Sequence, residues 1–316
     1  MNVRIVKLAF TAPLRVGEPG IGLENTTPIV HSDTLFSALC HAFLLLKGET
    51  WLTDFLEQYQ KEPLLVLSSA FPYTEDIFYL PKPFYRIQWE EKEPDPKSIK
   101  QIRWLSHSTL DEVFSGRAVS LKKVKEENKK VFSCQTPMLT PRVALGRWDM
   151  ASELFFCGQI FFAEKSGLYI LVSYRDALSL QMLKEGFHFL GEEGLGGERN
   201  VGLGRFKTEW IDPDEKWMAL LSRTGNRYYL AGLFHPKTPP QSLKECAYDL
   251  RERRGWFYSP ISGQQMKRKT VWMFAEGSIL NFKPVGHLVD LSPEKWKQHG
   301  GHPIYRCGVP FVFSFS

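Results

Sequence analysis

The sequence predicts an α+β fold built on antiparallel sheets, and three observations carry that expectation. Asn2 to Phe10 places Val3, Ile5, Leu8 and Phe10 in near-alternation, the period-2 pattern of a strand with one buried face. Leu154–Ala163 (LFFCGQIFFA) and Leu168–Tyr174 (LYILVSY) are apolar runs of strand length, joined by a short glycine-bearing connection at 164–167 that reads as a hairpin. Between and after these strands lie two segments with helical spacing, from Ser32 and from Asp176.

Taken in order, the first strand gives way to a loop over 11–30 rich in Gly and Pro. Ser32 then reads as a helix cap, with Asp33 favourable near the positive end of the helix dipole. Leu35, Phe36, Leu39, Phe43 and Leu46 form one apolar face, and Gly48 ends it. Trp51–Gln60 is a second short helix and Leu64–Ser69 a strand. Six prolines (81, 83, 94, 96, 137 and 141) punctuate residues 81–141. A structureless loop of that length is improbable in a compact domain, so the segment reads as a projecting insertion, a hairpin plus a short helix. Asp176 caps a helix running to Leu190, and after a glycine-rich loop comes the strand Arg205–Ile211. Without the insertion, the order over 1–211 is that of the split βαβ pair of a ferredoxin-like domain. Residues 212–316 are less regular, with strands at Arg227–Phe234, Gly255–Tyr258 and Thr270–Ala275 and an apolar tail from Pro303. They are expected to form a second, degenerate domain of the same class.

The chain has 316 residues, 43% of them hydrophobic, with 23 Phe, 11 Tyr and 9 Trp, so it can bury a sizeable core and disorder is not expected. No run is long enough to span a bilayer, and the first ten residues alternate like a strand rather than a secretory signal. Five dispersed cysteines without a CxxC pair argue against a disulfide framework or zinc ribbon. A cytoplasmic protein without cofactor or metal is expected. Charge is uneven: residues 97–147 hold eleven Lys/Arg against four Asp/Glu, and residues 251–270 six against one. Two basic segments on a slightly acidic body suit a polyanion track, although solvated lysine-bearing loops give the same count.

The stretch 191–206, GEEGLGGERNVGLGRF, holds six glycines in sixteen residues. Glycine adopts φ > 0 cheaply and lets backbone approach a ligand, and successive amides can form an anion nest. Arg199, Asn200 and Arg205 add donors for phosphate oxygens or base edges. A Walker A loop is excluded because Leu203 and Gly204, not Lys and Ser/Thr, follow Gly202. A dinucleotide fingerprint is excluded because the loop follows a helix and opens a strand.

Leu195-Gly196, five residues including Arg199, and then Gly202-Leu203-Gly204 resemble the glycine-rich signature of the RAMP superfamily, the RNA-binding proteins of CRISPR systems. Ile29 to Ala38 (IVHSDTLFSA) closely resembles a segment of the branch that supplies the fourth subunit of the type III-A Csm effector complex. Phe10–Gly17 and the stretch from Pro141-Arg142-Val143 to Leu154-Phe155 fit the same branch. The resemblance covers about residues 1–210. It implies an RRM-related, ferredoxin-like domain over 1–211, which with the element order gives two such domains (1–211 and 212–316) and a basic insertion in the first at about 81–141. It further implies a non-catalytic subunit that holds the repeat-derived 5′ tag of the CRISPR RNA, or crRNA, and contacts the large polymerase/cyclase-like subunit and a backbone RAMP subunit. Single-stranded RNA is held through phosphates, 2′-hydroxyls and stacking. On that basis Ser32 and Thr34 at a helix N-terminus, His31 as a stacking or hydrogen-bonding ring, Arg142 and Arg147 as a clamp, and Gly196, Gly197, Arg199, Asn200, Gly202, Gly204 and Arg205 are the candidate RNA contacts.

Two other classes of function fit parts of the sequence. A RAMP-type processing endoribonuclease would use His31 or His41 as acid or base, and a target-RNA nuclease like the backbone RAMP subunits would use Asp33 with a divalent metal. A protein-only adaptor would turn both basic segments toward acidic neighbours. In the insertion, Arg103, Arg117, Lys122 and Lys123 serve an RNA backbone or a docking arm equally well. His299, His302 and Cys307 form a weak candidate metal set.

Overall fold

The computed structural model describes residues 2–17, 22–146 and 152–316. β1 (Asn2–Phe10) is followed by α1 (Ser32–Lys47) and α2 (Glu49–Lys61), which share Gly48 as their boundary. Next come β2 (Leu65–Leu67), β3 (Phe71–Thr74), β4 (Ile77–Pro81), α3 (Pro96–Gln101), β5 (Trp104–Ser106), α4 (His107–Phe114) and α5 (Leu121–Ser133). β6 (Gln135–Leu145), β7 (Ser152–Phe162), β8 (Ser166–Tyr174), α6 (Ala177–Glu193) and β9 (Phe206–Ile211) complete this part.

The architecture is mixed α and β with antiparallel sheets. The main sheet has seven strands in the order β5-β4-β3-β8-β1-β9, with β2 also on β8. All nine residues of β8 are buried because both of its edges are paired and both of its faces are covered. Val6, Leu8, Leu168, Ile170 and Val172 pack with Leu35, Phe36 and Leu39 of α1 and Leu183 and Phe187 of α6. Ile5, Tyr169 and Leu171 point to the other face, where Phe78, Trp104, Trp217, Tyr229 and Phe313 meet them. Alternation along β1 and β8 thus feeds two cores.

Four expectations change. β7 does not form a hairpin with β8; it pairs with β6 along its whole length, from Gln135 opposite Phe162 to Leu145 opposite Ser152. The edges of β8 are taken by β1 on one side and by β2 and β3 on the other, so β7 needs another partner. Residues 81–141 are not a projecting arm: Leu110, Val113, Phe114, Val124 and Val131 are buried in the core. Asn128 locks α5 to β5, accepting from Arg103 and Trp104 amides at 3.0 Å and donating to the Trp104 carbonyl at 2.8 Å. What stands exposed is the β6–β7 ribbon, including Leu145 and Leu154. Leu46 is exposed and leaves the apolar face of α1. Ser32 is the first helical residue rather than the cap. Its amide donates to Ser69 Oγ at 2.8 Å and its hydroxyl accepts from the Leu233 amide at 2.9 Å, which ties the helix to the C-terminal part.

Beyond β9 come a helix (Glu215–Leu221) and a three-stranded sheet with Arg227–Leu230 between Ile279–Leu280 and Val312–Phe315. Shorter ladders pair Leu250–Arg253 with Val271–Phe274, Trp256–Tyr258 with Gln265–Lys267, and Leu288–Asp290 with Tyr305–Cys307. The predicted strands are present but shorter. Trp217, Tyr229 and Phe313 join the same core as Tyr169, so the C-terminal part closes the open face of the main sheet.

Candidate functional site

A cleft of about 690 Å³ lies where α1, the glycine loop and the arginine-rich strand meet. Thr34, Ser37 and His41 line it from α1, Gly194 to Gly197 and Arg199 from the glycine loop, and Asp249 to Arg254 with Arg306 from the C-terminal part.

The glycine wall is built by backbone. The Gly197 amide donates to the Arg15 carbonyl and the Gly204 amide to the Pro13 carbonyl, each at 2.8 Å; the Leu195 amide donates to Gly204 at 2.9 Å. Gly204 has φ +74°, and a Cβ there would enter the Leu195 backbone. Gly202 has φ +86° and open space around it. These three amides are engaged within the chain and are not available to an anion. Arg199, at the start of a 3₁₀ turn, is the loop residue that brings a cation to the cleft.

The opposite wall is built by charge. Asp33 is fully buried. Arg253 donates to it through Nε at 2.9 Å and Nη2 at 3.0 Å, and to Thr34 Oγ1 at 2.9 Å; Arg306 Nη1 also donates to Asp33. Burial alone would raise the Asp33 carboxyl, but the Arg306 and Arg253 guanidiniums outweigh it and hold the group well below the usual carboxylate range. One carboxylate facing two guanidiniums leaves this wall net positive. Burial, then Arg306, lowers the nearby Arg268 guanidinium to about 10.

The predicted residues divide. Thr34, Gly196, Gly197 and Arg199 line the cleft, as does the edge of His31. His31 is only 4% exposed, and its Nδ1 lies 2.7 Å from Glu276 Oε1, which also accepts from Ser69 Oγ. Burial would raise Glu276; the neighbouring His31 and the hydrogen bonds from His31 and Ser69 bring it down to about 2. The ring is thus committed to a buried pair and is not free to stack on a base. Ser32 is buried in the tie described above. Asn200, Gly202, Gly204, Arg205 and Arg142 are not among the described residues that line the cleft; Arg142 sits on β6 opposite Phe155, and Arg147 lies outside the described residues. Asp33 is occupied by its arginines, and no group of three or more metal-ligating side chains occurs among the described residues. His299, His302 and Cys307 do not converge: they bond the Lys295 carbonyl, Ser259 Oγ and Tyr59 OH.

Of the two basic segments, 251–270 faces the glycine loop. In the other, Arg117 and Lys123 pair with Asp111 and Glu112 at 3.4 and 3.8 Å. Sequence reasoning named none of Arg251, Arg253, Arg254 or Arg306 as a contact, and considered His41 only as an acid or base. The charge excess over 251–270 is the signal that pointed toward Arg251, Arg253 and Arg254. Among the described residues no helix is long and apolar enough to cross a membrane.

Residues 223–315 match the family described as the CRISPR Csm4 C-terminal domain. The chain is 26% identical over 295 residues to the CRISPR system Cms protein Csm4 of Thermococcus onnurineus, covering 90% of each chain. It is 25% identical to the protein of the same name from Methanocaldococcus jannaschii, covering 100% of this chain and 98% of that one. In fold it resembles a chain in the crystal structure of the Csm3-Csm4 subcomplex of the type III-A CRISPR-Cas interference complex, with TM-score 0.68 and 22% identity over the full length of both. A Csm1-Csm4 cassette crystallised with pppApA gives TM-score 0.64 at 20% identity, covering 99% and 98%.

Proposed function

We propose that the chain is a Csm4-type protein of a type III-A CRISPR system, a non-catalytic effector subunit that binds the 5′ repeat-derived tag of the crRNA. The observation that supports this most is the cleft between the glycine loop and the arginine wall. Arg199, Arg253, Arg254 and Arg306 line one groove, a surplus of cations in a concave site rather than on a flat patch. Phosphates would sit between the two walls, and Thr34 and His41 offer hydrogen bonds beside them.

In this reading β1, β8 and β9 with α1 and α6 are the core of a ferredoxin-like domain over 1–211, and 212–316 is a degenerate second one. The partners are a Csm1-type large subunit and a Csm3-type backbone subunit, since relatives of this fold are crystallised in Csm1-Csm4 and Csm3-Csm4 assemblies. The endoribonuclease alternative is weakened by the burial of His31 against Glu276.

Filter binding of tagged and untagged RNA across a salt series tests the assignment. Tight binding of tagged RNA is expected, with log K falling steeply with log salt. Arg199→Ala with Arg254→Ala should weaken it and flatten the slope. Salt-independent binding, or equal binding of untagged RNA, would overturn it. RNA cut by the purified chain, with loss of cutting in His41→Ala, would establish the enzyme instead.

A further inference from the structure

The cleft continues past His41. Ser37 and His41 also line a second cavity of about 300 Å³, at the small end of ligand sites. One wall is apolar, with Phe36 and Leu44 from α1 and Leu52 and Leu56 from α2. The other carries Trp256 and Tyr258, 61% and 63% exposed. Two residues apart on one strand, they share a face. Phe257 between them is buried on the opposite face against Trp296, ring centroids 5.2 Å apart. The strand is therefore anchored from behind while its aromatic face stays uncovered.

Polar groups gather at this cavity. Arg268 donates from Nη2 to the Trp256 carbonyl at 2.7 Å, while its Nε has no partner among the described residues. His41 Nδ1 is likewise buried and unpartnered there. Both nitrogens are closed off from the cavity as it stands, so what the cavity offers an occupant is the uncovered face of Trp256 and Tyr258. A flat ring entering between the α1–α2 wall and this strand covers the exposed rings, and the cavity shares Ser37 and His41 with the cleft that would hold the phosphates.

We propose that this cavity receives one unstacked nucleobase of the single strand whose phosphates lie on the arginine wall. The inference rests on the RNA-binding assignment above and adds to it a base slot formed by Trp256, Tyr258, His41 and Arg268. Stacking on an aromatic face is tolerant of base identity, so Trp256 and Tyr258 supply affinity with little preference among bases.

The test is a cycle with the full chain and tag RNA made abasic at one position at a time. For the unsubstituted protein, one abasic position should lower affinity about five-fold or more, the others little. Trp256→Ala should lose a similar factor on intact RNA and become insensitive to that one position, with Trp256→Phe restoring most of it. Trp256 is on the surface, so the variant should fold, and an unchanged melting temperature checks this. The slot is refuted if Trp256→Ala binds intact RNA normally, or if its loss is the same at every abasic position, as expected were the aromatic wall a seat for a protein side chain. Binding by the unsubstituted chain with no coupling sinks the slot alone; no salt-dependent binding at all sinks the RNA assignment as well.

Discussion

The two walls of the cleft solve one packing problem by opposite means. The glycine loop is pinned by backbone: amides at Leu195, Gly197 and Gly204 reach carbonyls at Gly204, Arg15 and Pro13, so the loop sits against 13–15 with no side chain between. The arginine wall is pinned by a single buried ion cluster in which Asp33 holds Arg253 and Arg306. A glycine-rich loop suggests the ligand site, yet its amides are used for folding. The arginine wall supplies the charge, and one carboxylate fixes its geometry. Stability and ligand recognition are thus coupled on one wall and separable on the other.

The sharpest way to break that contrast is Asp33→Ala. It strands two largely buried guanidiniums, and uncompensated buried charge costs about 3–5 kcal/mol. Chemical denaturation should show a loss of that order, and the double variant with Arg306→Met should recover part of it. Full additivity of the two changes would show that the pair is not coupled.

The second pair across the same junction, His31 with Glu276, is read by pH. The Glu276 carboxyl is lowered from 4.5 to about 2 in the folded chain, so its ionised form is favoured by folding. Its stabilisation is full above the unfolded value near 4.5 and is lost as pH falls from there toward 2. A shift of that size corresponds to roughly 3 kcal/mol. Glu276→Gln should therefore lower stability at neutral pH and flatten the acid limb of the stability profile between about pH 4.5 and 2. An unchanged acid limb would reassign it to other carboxylates, Asp33 first.

The glycine wall gives smaller effects that depend on position. Gly204→Ala puts a methyl into the Leu195 backbone at φ +74° and should cost about 1–3 kcal/mol. Gly202→Ala meets nothing within 4 Å and should cost only about 1 kcal/mol, the penalty of the left-handed backbone. Equal losses in thermal melts would contradict the close approach described here.

What could be read ahead of the structure was what each segment's own residues decide. β1, α1 and α6 follow from spacing and from the Asp176 cap, whose carboxylate takes the Ser179 amide at 2.8 Å. Pairing was not legible for β7, because which edge it joins depends on which edges of β8 others have already filled. Asp33 was read as part of a capping turn because local sequence shows only neighbours; its partners lie 220 and 273 residues away. Local sequence leaves His31 open for the same reason, since Glu276 is 245 residues distant. Charge counting drew attention to 251–270, but only the fold decides that Arg253 and Arg254 line the same cleft as Arg199 while also pairing with Asp33 and Glu252.

Arg199→Ala should be nearly silent in stability, within about 0.5 kcal/mol, because the loop is held by amides rather than by this side chain. It should still act on RNA. A phosphate contact to a single strand contributes about 0.7 to the slope of log K against log salt, and the variant should lose about that much. His41 adds a second readout: its pKa is lowered by burial and then by Arg199, so removing that guanidinium should raise it. An NMR titration of the His41 ring should show the upward move. Loss of stability with an unchanged salt slope would instead make Arg199 a structural residue and leave the arginine wall to bind phosphate alone.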